Sequence, residues 1–266
     1  MKILFCGDVV GRAGRDALTK YLPALRSEHS PDFVVVNGEN SASGFGISKS
    51  TFNQMRDAGA DVLTAGDHVW DQKDTPQLLE EHRTLLRPHN FPDDAPGTGC
   101  RLYEHKGKKI LVLHLLGQVF HKEYLDSPFH CAERALEGYT LGKNVDAILV
   151  DMHCEATSEK NAMGVFLDGR VSAVVGTHTH IPTADTRVLP GGTAFQTDTG
   201  MCGNYNSVIG FHPDGPLHSF VKKYRKIRME PASGNGTVAA ALIEIDDTTG
   251  LATSITGILR GGEFSA

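Results

Sequence analysis

The chain reads as an α/β protein that carries its chemistry at the ends of its strands. Two observations predict this. Short apolar runs alternate with segments of helical period, first between residues 2 and 64 and again between 109 and 175. Five of the apolar runs stop in a polar cluster: Asp8, then Glu39-Asn40, then Asp67-His68, then His153, then His178-Thr179-His180. In open α/β sheets ligands bind beyond the carboxyl ends of the strands, so clusters in these positions can converge on one point. Independent placement of surface polar residues does not predict that order.

The elements follow in turn. Lys2 to Cys6 is a short buried strand that ends at Gly7-Asp8. Gly14 to about His29 has apolar positions at Ala17, Leu18, Tyr21, Leu22 and Leu25, the spacing of one helix face. Pro23 inside that helix predicts a kink or a break. Asp32 to Val36 is a second apolar strand, and the glycine-rich stretch Ser41 to Gly46 is a loop. A helix from about Ser48 to Ala58 follows, with Ser48 as its N-cap. Asp61 to Thr64 is a third strand.

Further along, Cys100 to Glu104 and Lys109 to Leu115 flank Lys106-Gly107-Lys108 and predict a hairpin. Ala132 to Leu141 predicts a helix, Asp146 to Asp151 a strand, Ser158 to Leu167 a helix and Val171 to Val175 a strand. Two more hairpins are expected, Arg187–Leu189 with Thr193–Gln196, and Thr237–Ile245 with Leu251–Leu259. With no internal repeat and no long linker, residues 1–266 are expected to form a single domain.

Composition narrows the function. A chain of 266 residues can bury a sizeable core without disulfides or structural metal. Its five cysteines are an odd number with no C-x-x-C pair, which argues against a disulfide framework and a zinc–thiolate site. The net charge of −6 and the lack of a basic run exclude an extended nucleic-acid footprint. A small anionic substrate remains compatible if metal ions bring the positive charge. No apolar stretch is long enough for a membrane span, and Met1 to Phe5 lacks a signal peptide's apolar run, so a cytoplasmic protein is expected. A homo-oligomer is left open.

Thirteen histidines against one tryptophan is an unusual balance, and histidine is the commonest metal ligand. His29, His82, His105, His121 and His130 lie in polar segments and are assigned no role. His178 and His180 differ, because they follow an apolar strand directly. An extended chain would point both to one face, whereas a turn would send them to two adjacent ions. Singly, Asp8 and Glu39 are equally well read as turn or N-cap acids and Asn40 as a turn residue; the argument rests on the set. Carboxylate, amide oxygen and imidazole together favour manganese, iron or zinc. A pair of ions sharing a carboxylate can activate a bridging water and clamp a phosphoryl group. Arg12 and Arg15 read as a solvated helix start or as phosphate ligands, and Phe45 as a packing anchor or a cover for a base.

The order Gly7-Asp8, Asn37-Gly38-Glu39-Asn40, Gly66-Asp67-His68, His153 and Gly176-Thr177-His178-Thr179-His180 resembles the calcineurin-like metallophosphoesterase superfamily. Asp8-Val9-Val10-Gly11, the Asn-Gly-Glu-Asn run and Asp67-His68-Val69-Trp70 are similar to its bacterial YmdB-like branch, which is associated with 2′,3′-cyclic nucleotide phosphodiesterase activity. The resemblance runs from Lys2 to the final hairpin. It implies a four-layer α-β-β-α sandwich with two transition-metal ions at one edge, iron or manganese before zinc. It places one metal on Asp8, Glu39, Asn40 and His180, and the other on Glu39, Asp67, His153 and His178, with Glu39 shared. It makes His68 the general acid in hydrolysis of a small phosphodiester by a bridging hydroxide. A phosphomonoesterase, or a nucleotide-binding regulator with little turnover, is the alternative. Two positions depart from the superfamily pattern. Val10 stands where a histidine is usual, a gap that Asn40 fills. Asp67 stands where asparagine is usual, which adds a carboxylate to the ligand set.

Overall fold

The computed structural model describes residues 1–121, 125–224 and 226–264. The chain begins with β1 (Lys2–Cys6), β2 (Asp8–Val9), α1 (Gly11–His29), β3 (Phe33–Asn37), α2 (Lys49–Asp57) and β4 (Val62–Thr64). A 3-10 turn (Asp67–Trp70), α3 (Thr75–Glu81), β5 (Leu85–Leu86), β6 (Cys100–His105) and β7 (Lys108–Leu116) follow. Then come α4 (Pro128–Leu136), β8 (Ala147–His153), α5 (Thr157–Leu167), β9 (Ala173–Thr177), β10 (Arg187–Val188), β11 (Ala194–Gln196) and β12 (Met201–Cys202). Helix α6 (Asp214–Lys222) and the strands β13 (Val238–Ile245) and β14 (Ala252–Arg260) complete the order.

Among the described residues twelve of these strands form two six-stranded sheets, β14-β13-β1-β3-β4-β5 and β10-β11-β9-β8-β7-β6, and β2 pairs with β12 in a two-stranded one. Each six-stranded sheet has a parallel centre: β1, β3, β4 and β5 run together in one, and β7, β8, β9 and β11 in the other. Alternation along single strands explains the layering. Ile3 and Phe5 of β1 point at the second sheet and meet Ile110, Val112, Leu149 and Val175 there. Leu4 and Cys6 point the other way and pack under Leu18, Leu22 and Leu25 of α1 and Met55 of α2. On the far side Leu113, Val150 and Val174 lie under Ala132 and Leu136 of α4 and Met163 and Leu167 of α5. Central strands are thus buried on both faces, which is why they read as continuous apolar runs. Each such side chain contributes about 1.5–3 kcal/mol on burial. The result is the four-layer α-β-β-α sandwich.

Three local expectations need correction. Helix α1 starts at Gly11, not Gly14, because its glycines serve contact: a Cβ on Gly14 would lie 2.1 Å from the Cys202 carbonyl oxygen. The helix also runs through Pro23 to His29. Pro23 and Thr19, whose carbonyl loses its partner, both face solvent, where water can replace the lost bond. Helix α4 spans 128–136 rather than 132–141. Pro128 suits its first turn, and Gly138, at φ +83°, carries the chain away beyond it. The Ser48 cap forms as expected, in a reciprocal pair with Thr51.

Candidate metal centre

Five parallel strands deliver the site. Asp8 follows β1, Glu39 and Asn40 follow β3, and Asp67 follows β4; His153 ends β8, and His178 and His180 follow β9. The first three strands belong to one sheet and the last two to the other, so the cluster lies where the carboxyl ends of both sheets meet. Glu39, Asp67, His153 and His178 place ligand atoms within 4.8 Å of one another, and so do Asp8, Glu39 and His180. Glu39 is common to both groups. His153 Nε2 is 2.9 Å from Glu39 Oε2 and 3.0 Å from Asp67 Oδ1, and His178 Nδ1 is 3.5 Å from Asp67 Oδ1. Gly66 makes room: at φ +58°, a Cβ there would sit 1.8 Å from Glu39 Oε2.

The hydrogen bonds fix which atoms face the centre. His153 Nδ1 is 2.8 Å from Thr177 Oγ1, and that hydroxyl donates to Asp151 Oδ1. Thr177 therefore accepts from His153 Nδ1–H, which leaves Nε2 facing the carboxylates, where either a proton or a cation sits between them. His180 Nδ1 donates to the Ile209 carbonyl at 2.7 Å, which leaves Nε2 as an acceptor 3.0 Å from Asn40 Oδ1. Asn40 Oδ1 is itself an acceptor, because Nδ2 donates to the Gly44 carbonyl. Two lone pairs aimed at one another make a place that suits a cation. Burial lowers the His180 pKa to about 4, which favours the neutral ring.

Charge points the same way. Asp8 and Glu39 are buried, and burial pushes both carboxyl pKa values well above the ordinary range, with like charges adding to it. Asp67 goes the other way: burial opposes its ionisation, but hydrogen bonds from His153 and His178 outweigh it and hold the carboxyl far below the usual range. Burial likewise favours neutral His153, and the hydrogen bond to Asp67 with the charges of Asp8, Asp67 and Asp151 raises it nonetheless. No lysine or arginine pairs with Asp8, Glu39 or Asp67 among the described residues, and the donor set suits divalent ions.

The 178–180 segment is a turn, the second of the two courses open to it. His178 and His180 have φ of +94° and +66°, unusual for residues with a side chain. Such strain persists only where surroundings hold it. Here the His178 amide donates to Asp8, and both the amide and the hydroxyl of Thr179 donate to Asp198 Oδ2. Asp198 in turn is paired with Lys160 Nζ at 2.7 Å, both fully buried.

His68 lies outside both ligand groups. Its Nδ1 is 2.8 Å from Asp71 Oδ2, and Phe45 meets its ring edge-on with centroids 5.0 Å apart. Several residues of the site lie outside the strand-end clusters. His114 is fully buried, accepts from the Gly66 amide through Nε2 and therefore donates through Nδ1 to Asp151 at 3.1 Å. Asp151 also accepts from Thr64, Asn37 and Thr177. Glu155 reaches His178 Nε2 at 3.3 Å, and His121 packs on the His178 ring at 5.0 Å. His114 and Asp151 interrupt the apolar runs of β7 and β8, the one sequence feature that sets them apart. His82 and His105 pack on Phe52 and Phe33, away from the centre.

Comparison with known proteins bears on this geometry. The family model of the YmdB-like proteins matches residues 4–258. The chain belongs to that family. A curated relative from Bacillus subtilis, described as a 2′,3′-cyclic-nucleotide 2′-phosphodiesterase, is 42% identical over 97% of this chain and 97% of its own. Among solved structures, a protein of Mycoplasma pneumoniae described as a novel phosphatase superposes with a TM-score of 0.91 at 33% identity, covering 98% of this chain and 93% of that one. A hypothetical protein from Thermus thermophilus does so with a TM-score of 0.91 at 37% identity, over 98% and 100%. The YmdB-like fold is thus the frame on which both ligand groups are built.

Proposed function

We propose that this chain is a metal-dependent phosphodiesterase that hydrolyses small phosphodiesters, 2′,3′-cyclic nucleotides among them. The observation that carries the reading is the pair of ligand groups that share Glu39. Asp8, Glu39, Asn40 and His180 hold one metal ion, and Glu39, Asp67, His153 and His178 hold the other. When bound, two such ions polarise a phosphoryl oxygen and lower the pKa of water. Iron or manganese suits the mixed oxygen and imidazole donors.

The protein's own groups supply the rest. Asp71 accepts a hydrogen bond from His68 Nδ1–H, and in the imidazolium form the second proton, on Nε2, passes to the departing ester oxygen. Phe45 offers an apolar face beside that donor, against which a base can lie. Thr177 and Ile209 accept from Nδ1–H of His153 and His180, so both imidazoles turn Nε2 to the centre. The test is metal analysis of chain purified without chelator, combined with turnover of a chromogenic diester and the matching monoester. The reading expects two ions per chain and faster turnover of the diester. One ion under metal excess, or preference for the monoester, overturns it.

A further inference from the structure

Beside the first turn of α1 lies a cavity of about 520 Å³, within the range of small-molecule sites. Arg12, Arg15 and Arg228 line it, with Ser43, Glu230 and Pro231. Three guanidinium groups therefore face one carboxylate. Five other arginines are paired with acids: Arg26 with Asp61, Arg134 with Asp126, Arg170 with Glu133, Arg187 with Asp185 and Arg260 with Glu28. Arg12 and Arg228 make no ion pair among the described residues.

Arg15 is held in place. Its Nε donates to Gln54 Oε1 at 2.7 Å and its Nη1 to the Ser41 carbonyl, so the plane of the fork is set. Its Nη2 makes no hydrogen bond among the described residues. Burial lowers the Arg15 pKa and the nearby charge of Arg12 adds to that, against the opposing charge of Asp16. The first turn of α1 carries no acidic residue, so the helix dipole adds positive potential at that end. The cavity also shares its wall with the metal centre's scaffold. The Asn40 carbonyl accepts from the Gly11 amide, one residue before Arg12, and the Asn40 side chain donates to the Gly44 carbonyl, one residue after Ser43.

We infer that this cavity is a phosphate-binding site, separate from the metal centre, in which Arg12, Arg15 and Arg228 grip a phosphate group through charge-assisted hydrogen bonds. The phosphate comes either from a substrate that carries a second phosphate beyond the diester or from a free phosphate compound that acts on the loop bearing Asn40.

Equilibrium dialysis of radiolabelled inorganic phosphate against the metal-loaded full chain tests it. Arg12→Ala/Arg228→Ala should bind one phosphate per chain fewer than the wild type. Both side chains are exposed, so the variant should melt with the wild type. Arg12→Lys/Arg228→Lys should retain the site with about tenfold weaker binding, since an ammonium lacks the two-pronged donor. Equal phosphate counts for the wild type and the folded alanine variant overturn the proposal. The source is read from KM values for a 2′,3′-cyclic nucleotide with and without a 5′-phosphate. A lower KM for the phosphorylated form, lost in the alanine variant, assigns the site to the substrate; equal KM values with a differing phosphate count assign it to a free anion. The count does not depend on turnover, so a wild type that binds the extra phosphate but hydrolyses no diester would sink the functional reading alone.

Discussion

Asp67 carries a charge that the usual asparagine lacks, and it carries it among two imidazoles. Its Oδ1 lies 3.0 Å from His153 Nε2 and 3.5 Å from His178 Nδ1, contacts that keep it ionised. Asp67→Asn should therefore weaken metal at the site it shares with both histidines. Removing one negative charge also strengthens the polarisation of a phosphoryl oxygen. Turnover should hold or rise at saturating metal and fall at limiting metal, as metal titrations run alongside kinetics will read. Lower turnover with both sites filled would give Asp67 a different role. His68 makes a separate prediction, because its ring belongs to neither ligand group. His68→Ala should cost roughly 10²–10⁴-fold in turnover with metal content unchanged. The loss should shrink for esters with good leaving groups, which need little protonation. An equal loss across leaving groups would mean that His68 positions the phosphoryl group.

At the scale of the element, the 178–180 turn is held by a charge pair from α5 and the segment after β11. Lys160 and Asp198 are both fully buried, and Asp198 Oδ2 anchors the residue between the two strained histidines. Breaking a buried pair by removing one partner costs about 3–5 kcal/mol, because the other charge is stranded. Lys160→Met should lower the melting temperature and loosen metal at His180 together. Lys160→Met/Asp198→Asn should recover most of the stability and little of the metal affinity, since an amide is a weaker acceptor for Thr179. Wild-type metal affinity in the double variant would show that the turn holds without Asp198. The glycine-rich loop 41–46 is the counterpart on the other sheet, tied to α1 through the Gly11–Asn40 bond.

For the whole molecule, the centre joins the two sheets. Asp8, Glu39, Asn40 and Asp67 follow strands of one, and His153, His178 and His180 end or follow strands of the other. Ions bound across that seam would stabilise the folded state by mass action, by about 2.7 kcal/mol at a hundredfold excess over the dissociation constant. A chelator should accordingly lower the melting temperature. Glu39→Gln should lose both ions and melt near the chelated wild type, whereas His180→Ala should empty mainly one site and melt between the two. Calorimetry with metal analysis distinguishes these cases. A Glu39→Gln variant with two tightly bound ions would rule out the shared role of Glu39.

The strands were legible because central parallel strands, buried on both faces, must be continuous apolar runs, and the polar residues that end them stand out against those runs. Asp8, Glu39, Asn40, Asp67, His153, His178 and His180 were legible as neighbours for that reason alone. Pro23 misled because its effect depends on which face meets water, and the end of α4 because a glycine at positive φ is a property of the folded backbone. The tertiary structure alone decided which sheet each strand joined, that His178 and His180 turn to different ligand groups, and that Asp71, Asp151, Thr177, Asp198, Lys160 and Ile209 orient the centre. Most of these partners lie tens of residues apart or on the opposite sheet, and a hydrogen bond across that distance leaves no period in the sequence. Sequence periodicity records which side of an element is buried; what that side touches is set only when the layers pack.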